Sequence, residues 1–344
     1  RAESPGLPAG HEVAFYEAVL PAPGEELMLD LPPQPLQISR RGDALQVGGE
    51  GFVYHIDLKA HGRLRLEAGG QELFAQGATL GATRRFIMNE WSGWGEKEWD
   101  AWYGNGLDSL VHVLRDYRVE RQPHLCEVFL DLYSHSFSTP ELGFSHQLHY
   151  KIYSSGDLII SHDLRYEGGP RSYHGDQILP YLQRLGLSWS LAPEARVLTW
   201  YGKGPFETYP DRHTGAKLGI YSEQIDSLGM PYLIPQDFGN HAQVRWGAIT
   251  YESGLGLAFI PDAQHTNLRI DPYSNLDRAW YPFQLRRSAR ATLYTDPFVS
   301  GVGGTPVSVR GPYRVAPGEY HYRLRIKPFR GSLEQVRGWA QGRM

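Results

Sequence analysis

The stretch from Trp200 to Arg212 places Glu207, Asp211 and Arg212 among Gly202, Gly204, Pro205 and Pro210. Glycine permits positive φ and proline fixes its own, so an abrupt bend is expected there. Tyr209 precedes a proline and is pushed out of the helical region. Two carboxylates and a guanidinium under such a bend make a fixed ion-pair cluster. Networks of that kind are often structural, and a structural role is the expected one. A second set is aromatic: Trp91, Trp94, Trp99, Trp102 and Tyr103, followed by Gly104-Asn105-Gly106. Their flat faces suit stacking on a ligand ring or plugging an interface.

Other chemistries find less support. There are 14 histidines, but His146 and His149 stand three apart in an expected strand and face opposite sides, so they cannot share an ion. No cysteine or third histidine completes a ligand spacing, and no metal site is expected. The single cysteine, Cys126, opens an apolar run and reads as a buried structural thiol. No Gly-x-Ser-x-Gly elbow or phosphate-binding loop is present. Gly301-Val302-Gly303-Gly304 follows a strand and leads to Pro306, which reads as a bulged turn. Two carboxylates flanking a glycosidic bond could hydrolyse it, but nothing in the spacing nominates a pair.

The elements that must position these residues are strands. With 9 Trp, 21 Tyr, 13 Phe and 39 Gly in 344 residues, the composition favours strands punctuated by turns. Alternation is clear at 44–47 and 52–57. Residues 62–74 read as a hairpin turning through Ala68-Gly69-Gly70-Gln71, and 149–164 as another turning through Ser154-Ser155-Gly156-Asp157. Further strands are expected at 184–191, 196–201, 243–251, 255–260, 266–272, 290–296 and 319–327, which makes a long antiparallel all-β protein. Glu96 to Asp116 breaks the rule, reads as a loop or short helix, and is where function is to be sought. Ser332 to Arg337 reads as a serine-capped helix or a disordered tail.

The balance of 34 basic and 38 acidic residues, formal net charge -4, lacks a basic run with interleaved aromatics, so nucleic acid is not an expected partner. No apolar stretch approaches the roughly 20 residues of a membrane helix, so a membrane partner is not expected either. Arg1-Ala2-Glu3-Ser4-Pro5 has no apolar h-region, and with one cysteine the expected location is cytoplasmic. A start on arginine suggests a fragment of a longer polypeptide. Residues 1–32 are expected to hold a lone strand at 11–20, a short one at 27–29 and a linker, 33–330 the main domain, and 331–344 a C-terminal tail.

Four ordered stretches resemble one family. Trp200 to Arg212, with Glu207, Tyr209, Asp211 and Arg212, is similar to the Gly-x-Gly-Pro-x-Glu-x-Tyr-x-Asp-Arg signature of the C-terminal domain of large β-galactosidases of glycoside hydrolase family 2. That domain is a separate small subunit in heterodimeric members. Pro231 to Trp246, with Gln236, Gly239, Asn240, Arg245 and Trp246, resembles the family's Pro-Gln-Glu-Asn-Gly-Asn…Val-Arg-Trp segment. Arg184-Leu185-Gly186-Leu187 is similar to the strand ahead of the signature. Asp296 through Gly304 is similar to the family's Asp…Gly-Val-Gly-Gly. The resemblance runs from about residue 34 to 327.

It implies a large antiparallel supersandwich of the galactose mutarotase-like type, preceded by the end of an immunoglobulin-like domain. It implies that the catalytic glutamates lie on a barrel upstream or in a large subunit, with no catalytic residue here. This domain would close one side of a galactoside pocket and stabilise the enzyme. No cofactor is implied for this part, although full-length members often use Mg or Na in other domains. The candidate substrate-facing residues are Trp91, Trp99, Trp102 and Gly106 of the aromatic segment and, from the resemblance, Thr292, which stands where some members carry a sugar-stacking tryptophan. Arg85 to Trp91 and Thr305 to Ser308 depart from the family's usual residues, which bears on the substrate and not on the fold. Two further readings are a mutarotase-like epimerase, for which His135 and His174 are the available loop histidines, and a non-catalytic carbohydrate-binding module using the tryptophans.

Overall fold

Burial with a period of two organises the strands. In Leu125–Ser136 the residues alternate half-buried and buried throughout, so Cys126, Val128, Leu130, Leu132, Ser134 and Ser136 form one inward row. Only an extended strand with one face against a core gives that pattern. The computed structural model describes the chain apart from residues 1–5, 7, 9–10, 19–24, 27–28, 93–97, 167–180, 263–264, 305–307 and 344.

The strands form two nine-stranded sheets. The first runs, in spatial order, Lys217–Gln224, Ala195–Gly204, Trp246–Tyr251, Leu255–Pro261, Gly318–Arg330, Leu158–Tyr166, Gly143–Tyr153, Leu125–Ser136 and Leu110–Arg121. The second runs His241–Val244, Thr266–Tyr273, Arg287–Val299, Arg184–Leu191, Gln71–Gly81, Arg63–Ala68, Phe52–Asp57, Ala44–Gly49 and Gln37–Arg41. Neighbours pair antiparallel, as in Phe52–Asp57 with Arg63–Ala68 and Thr266–Tyr273 with Arg287–Val299. The inward rows share a continuous core containing Tyr54, Phe74, Trp189, Trp200 and Phe259. Each such side chain contributes about 1.5–3 kcal/mol on burial. This is the all-β supersandwich. Cys126 lies in that core, and burial pushes its thiol up to about 11.

Several expectations change at the margins. Residues 11–18 form no strand; this irregular segment is tied to the first sheet's edge by Glu17, which pairs with Lys203 and accepts from Leu218 N at 2.6 Å. The strand expected at 27–29 falls largely outside the described residues; Glu25–Glu26 pairs in parallel with Gly342–Arg343. Glu98–Tyr103 is a short helix, but Leu110–Arg121 is a 12-residue strand where a loop to Asp116 was expected. Ser332 does cap a helix, Leu333–Trp339, through Glu334 N. Val336 of that helix is buried against Trp246, Ala258 and Phe329, so this segment packs on the first sheet.

Candidate functional site

The signature region is a cross-braced scaffold. Glu207 pairs with Arg212, takes the Tyr232 hydroxyl, and accepts from Gly239 N at 2.9 Å. Asp211 does not join that cluster, contrary to expectation. Its two oxygens accept from Val302 N at 2.9 Å and Gly303 N at 2.8 Å, pinning the 301–304 turn. The approach requires glycine at 301, where a Cβ would lie 2.3 Å from Asp211 Cγ. Gln236 accepts from Met88 N, and Asn240 donates to Thr208 O and Asn267 Oδ1. Arg245 donates to the Tyr201 hydroxyl at 3.1 Å, while Trp246 lies in the core under the C-terminal helix.

The centre of this scaffold is Asp237, which the sequence reading passed over. Tyr209 donates to Asp237 Oδ2 at 2.7 Å, Arg269 Nη1 lies 2.8 Å from Oδ1, and Arg84 Nε lies 3.8 Å from Oδ2. Arg84 also forms a two-pronged pair with Glu90, at 3.1 and 2.9 Å. All five side chains are buried. The two carboxylates compensate guanidiniums that would otherwise sit unpaired in the interior.

Arg269 leads onto the open face of the second sheet. Leu268, Ile270, Leu293 and Trp189 point into the core, so Arg269, Asp271, Tyr294, Thr292 and Ser188 point the other way. Together with Arg84, Arg85, Tyr103, Asp108 and His112, most of this row lines a cleft of about 690 Å³. Tyr294 is held between two guanidiniums, Arg184 at 4.6 Å and Arg269 at 4.0 Å from its ring centre. Arg184 is itself fixed by Asp296 at 2.5 Å. Asp271 takes one backbone N–H, from Tyr273 at 2.9 Å, and burial raises its carboxyl to about 6 against the pull of Arg269. At neutral pH it is an ionised acceptor on the cleft floor. A raised carboxyl in a cleft marks a functional candidate.

An aromatic cluster adjoins the cleft through Arg85 and Tyr103. Phe86 sits 6.2 Å from Trp91, 6.1 Å from Trp99, 6.1 Å from Tyr103 and 5.8 Å from Trp280, with the Arg85 guanidinium 3.8 Å over its ring. Trp91 and Trp99 are therefore brought together around Phe86, half-buried, but neither lines the cleft. Thr292 pairs with Asp271 across the sheet and shares its face. Trp102 and Gly106 are corrections. Trp102 is fully buried against Tyr181 and donates to its carbonyl at 3.0 Å, leaving no face for a sugar. Gly106 is a buried turn residue at φ 68 packed on Ser138. Trp94 and His174 lie outside the described residues. His135 stacks on Tyr133 within a strand and does not line the cleft.

The family described as beta galactosidase small chain matches residues 48–326. A β-galactosidase of Priestia megaterium is 27% identical over 303 residues, which is 86% of this chain and 27% of that protein. A β-galactosidase of Lactococcus lactis is 27% identical over 233 residues, 66% of this chain and 22% of the relative. The β-galactosidase BgaC of Bifidobacterium adolescentis is 37% identical over 150 residues, 42% and 14% respectively. The chain thus spans about a quarter or less of the length of these curated relatives. Among solved structures, an aldose epimerase homologue from C. elegans superposes with a TM-score of 0.45 at 11% identity, over 87% of this chain and all of that one.

Proposed function

The chain belongs to the β-galactosidase small-chain family, and from that premise we propose that it is the C-terminal domain of a retaining β-galactosidase-like enzyme of glycoside hydrolase family 2. The observation that carries the reading is a family match over residues 48–326 in a chain that spans only a quarter of a relative bearing that name. In this reading the hydrolytic glutamates lie in a separate barrel domain or large subunit, and hydrolysis runs through a glycosyl-enzyme intermediate formed there. The domain's part is to wall one side of the galactoside pocket and to stabilise the assembly. No cofactor is assigned to it.

Two features support that division of labour. The buried carboxylates Glu90, Asp237 and Asp296 are each engaged by arginine, which suits scaffold rather than bond cleavage. Beside the aromatic cluster around Phe86, Trp280, Tyr281 and Phe283 are exposed by 42%, 57% and 84%. Exposed aromatics grouped on one loop fit a surface covered by another domain.

The test is hydrolysis of a chromogenic β-galactoside. The 344-residue chain alone is expected to show none, and to support turnover when supplied with the family's catalytic part. Robust turnover by the chain alone would overturn the reading. Calorimetry with galactose and lactose then measures whether this domain contacts sugar without its partner.

A further inference from the structure

Behind the cleft wall, a file of polar side chains crosses five neighbouring strands of the first sheet, from Leu110–Arg121 to Gly318–Arg330. His112 Nδ1 is 2.7 Å from Ser134 Oγ, which is 2.8 Å from His146 Nε2. His146 Nδ1 is 2.9 Å from His162 Nε2, and His162 Nδ1 is 2.7 Å from the Tyr322 hydroxyl. Ser134, His146 and His162 are buried, and His112 alone of the five lines the cleft. The ring of His61 packs against His112 at 4.7 Å.

Burial pushes His146 well below its ordinary range and His162 down to about 3, so both are neutral at physiological pH. A neutral imidazole has one N–H and one bare nitrogen. In an unbroken file of such groups every donor must meet an acceptor, so the choice made at one end fixes all the others. Tyr322 makes that choice. Among the described residues, the one acceptor for its hydroxyl is His162 Nδ1. With Tyr322 donating, His162 carries its hydrogen on Nε2 and donates to His146 Nδ1. His146 donates from Nε2 to Ser134, and Ser134 donates to His112 Nδ1. The half-buried Tyr322 ring has its hydroxyl turned inward, where burial pushes it well above its ordinary range, so the opposite polarity would leave the phenol hydrogen without an acceptor among the described residues.

We propose that His112 is a ligand-contacting residue of the cleft and a fixed hydrogen-bond donor, held in its Nε2–H form by Ser134, His146, His162 and Tyr322 as positioning residues. The proposal rests on the reading that this domain meets a galactoside-type sugar. The ligand class is a neutral polyhydroxylated sugar, which needs both donors and acceptors from its site. His112 Nε2–H would meet a sugar oxygen, and Asp271 on the same cleft would accept from a sugar hydroxyl.

Long-range proton–nitrogen NMR of the 344-residue chain with labelled histidine reads which ring nitrogen is protonated. The expected result is Nε2–H at His112, His146 and His162, with the His112 resonances shifting on addition of methyl β-galactoside. Tyr322→Phe is expected to release the polarity, giving His112 a mixture of tautomers and weakening sugar binding about fivefold, the worth of one hydrogen bond. An Nδ1–H form at any of the three in the unaltered chain overturns the proposal, as does sugar that leaves His112 unmoved. The tautomers of the unaltered chain decide the matter even if the variant does not fold. The β-galactosidase reading is tested separately by turnover and survives either result.

Discussion

Around Asp237, two guanidiniums, Arg84 and Arg269, and the neutral Tyr209 hydroxyl converge on one buried carboxylate, and Glu90 completes the charge balance. Across the first sheet, the file from His112 to Tyr322 is equally buried through its middle and carries no charge. In the charged network each carboxylate is paired with a guanidinium, and the network reaches the cleft through Arg84 and Arg269. The neutral one reaches the same cleft through His112. A buried charge tolerates only the partner it has, whereas a neutral imidazole tolerates either of two hydrogen placements. The first arrangement can therefore fix where chain segments lie, and the second can fix how a donor points.

The sharpest way to break this contrast is Asp237→Ala. It leaves two buried guanidiniums short of a partner and should cost about 3–5 kcal/mol in urea denaturation. A loss below about 1 kcal/mol, the range of an exposed pair, would show the network to be solvated.

The neutral file predicts a pH effect of definite sign. His112 and His162 have folded values pushed down to about 4 and about 3 by burial. Unfolded histidine titrates near about 6.5. Below that value the unfolded chain binds more protons, so their contribution is intact above about 6.5 and lost as pH falls towards the folded values, at up to about 1.4 kcal/mol per pH unit for each. Asp271, raised to about 6, works in the opposite sense between about 4 and 6. The histidine part is isolated by His162→Gln, whose stability should fall less steeply between pH 6.5 and 5 than that of the unaltered chain. Parallel slopes would mean that His162 is already protonated in the fold.

The smallest stability effect is expected at Asp271→Ala. Arg269 keeps Asp237, and the Tyr273 N–H loses its acceptor, so denaturation should shift by about 1 kcal/mol. Galactose affinity measured by calorimetry should fall together with His112→Ala. A stability loss as large as that of Asp237→Ala would place Asp271 inside the scaffold.

How much of this was legible depends on what a linear pattern contains. Alternation gives the faces of strands, and it correctly sends His146 inward and His149 outward, where His149 stacks on Phe129 at 4.0 Å. It does not give register between strands. The contact of His146 with His162 depends on how Gly143–Tyr153 is set against Leu158–Tyr166, and that of Asp237 with Arg84 spans 153 positions. The strand Leu110–Arg121 was hidden by Arg115, Asp116, Arg118 and Glu120, because an edge strand carries charges that composition assigns to loops. Trp102 and Trp99 stand three apart in one short helix, and only the packing of that helix decides which ring faces the core. The signature's scaffold role was legible, but its bend was only partly so: Gly202 and Gly204 lie inside the strand Ala195–Gly204 without positive φ, and the chain bends only at Pro205-Phe206.

The parallel pairing of Glu25–Glu26 with Gly342–Arg343 sets two distant points of the sequence side by side. Everything between them, both sheets included, is a loop of chain whose neck is one strand spacing wide, about 4.8 Å. Such a unit can be treated as a cassette. Spliced into a surface turn of another protein, it would need only short connections, and a circular permutation joining the two points would stretch neither. The Leu333–Trp339 helix would then serve as the clasp, keeping the neck closed by covering Trp246 and Phe329.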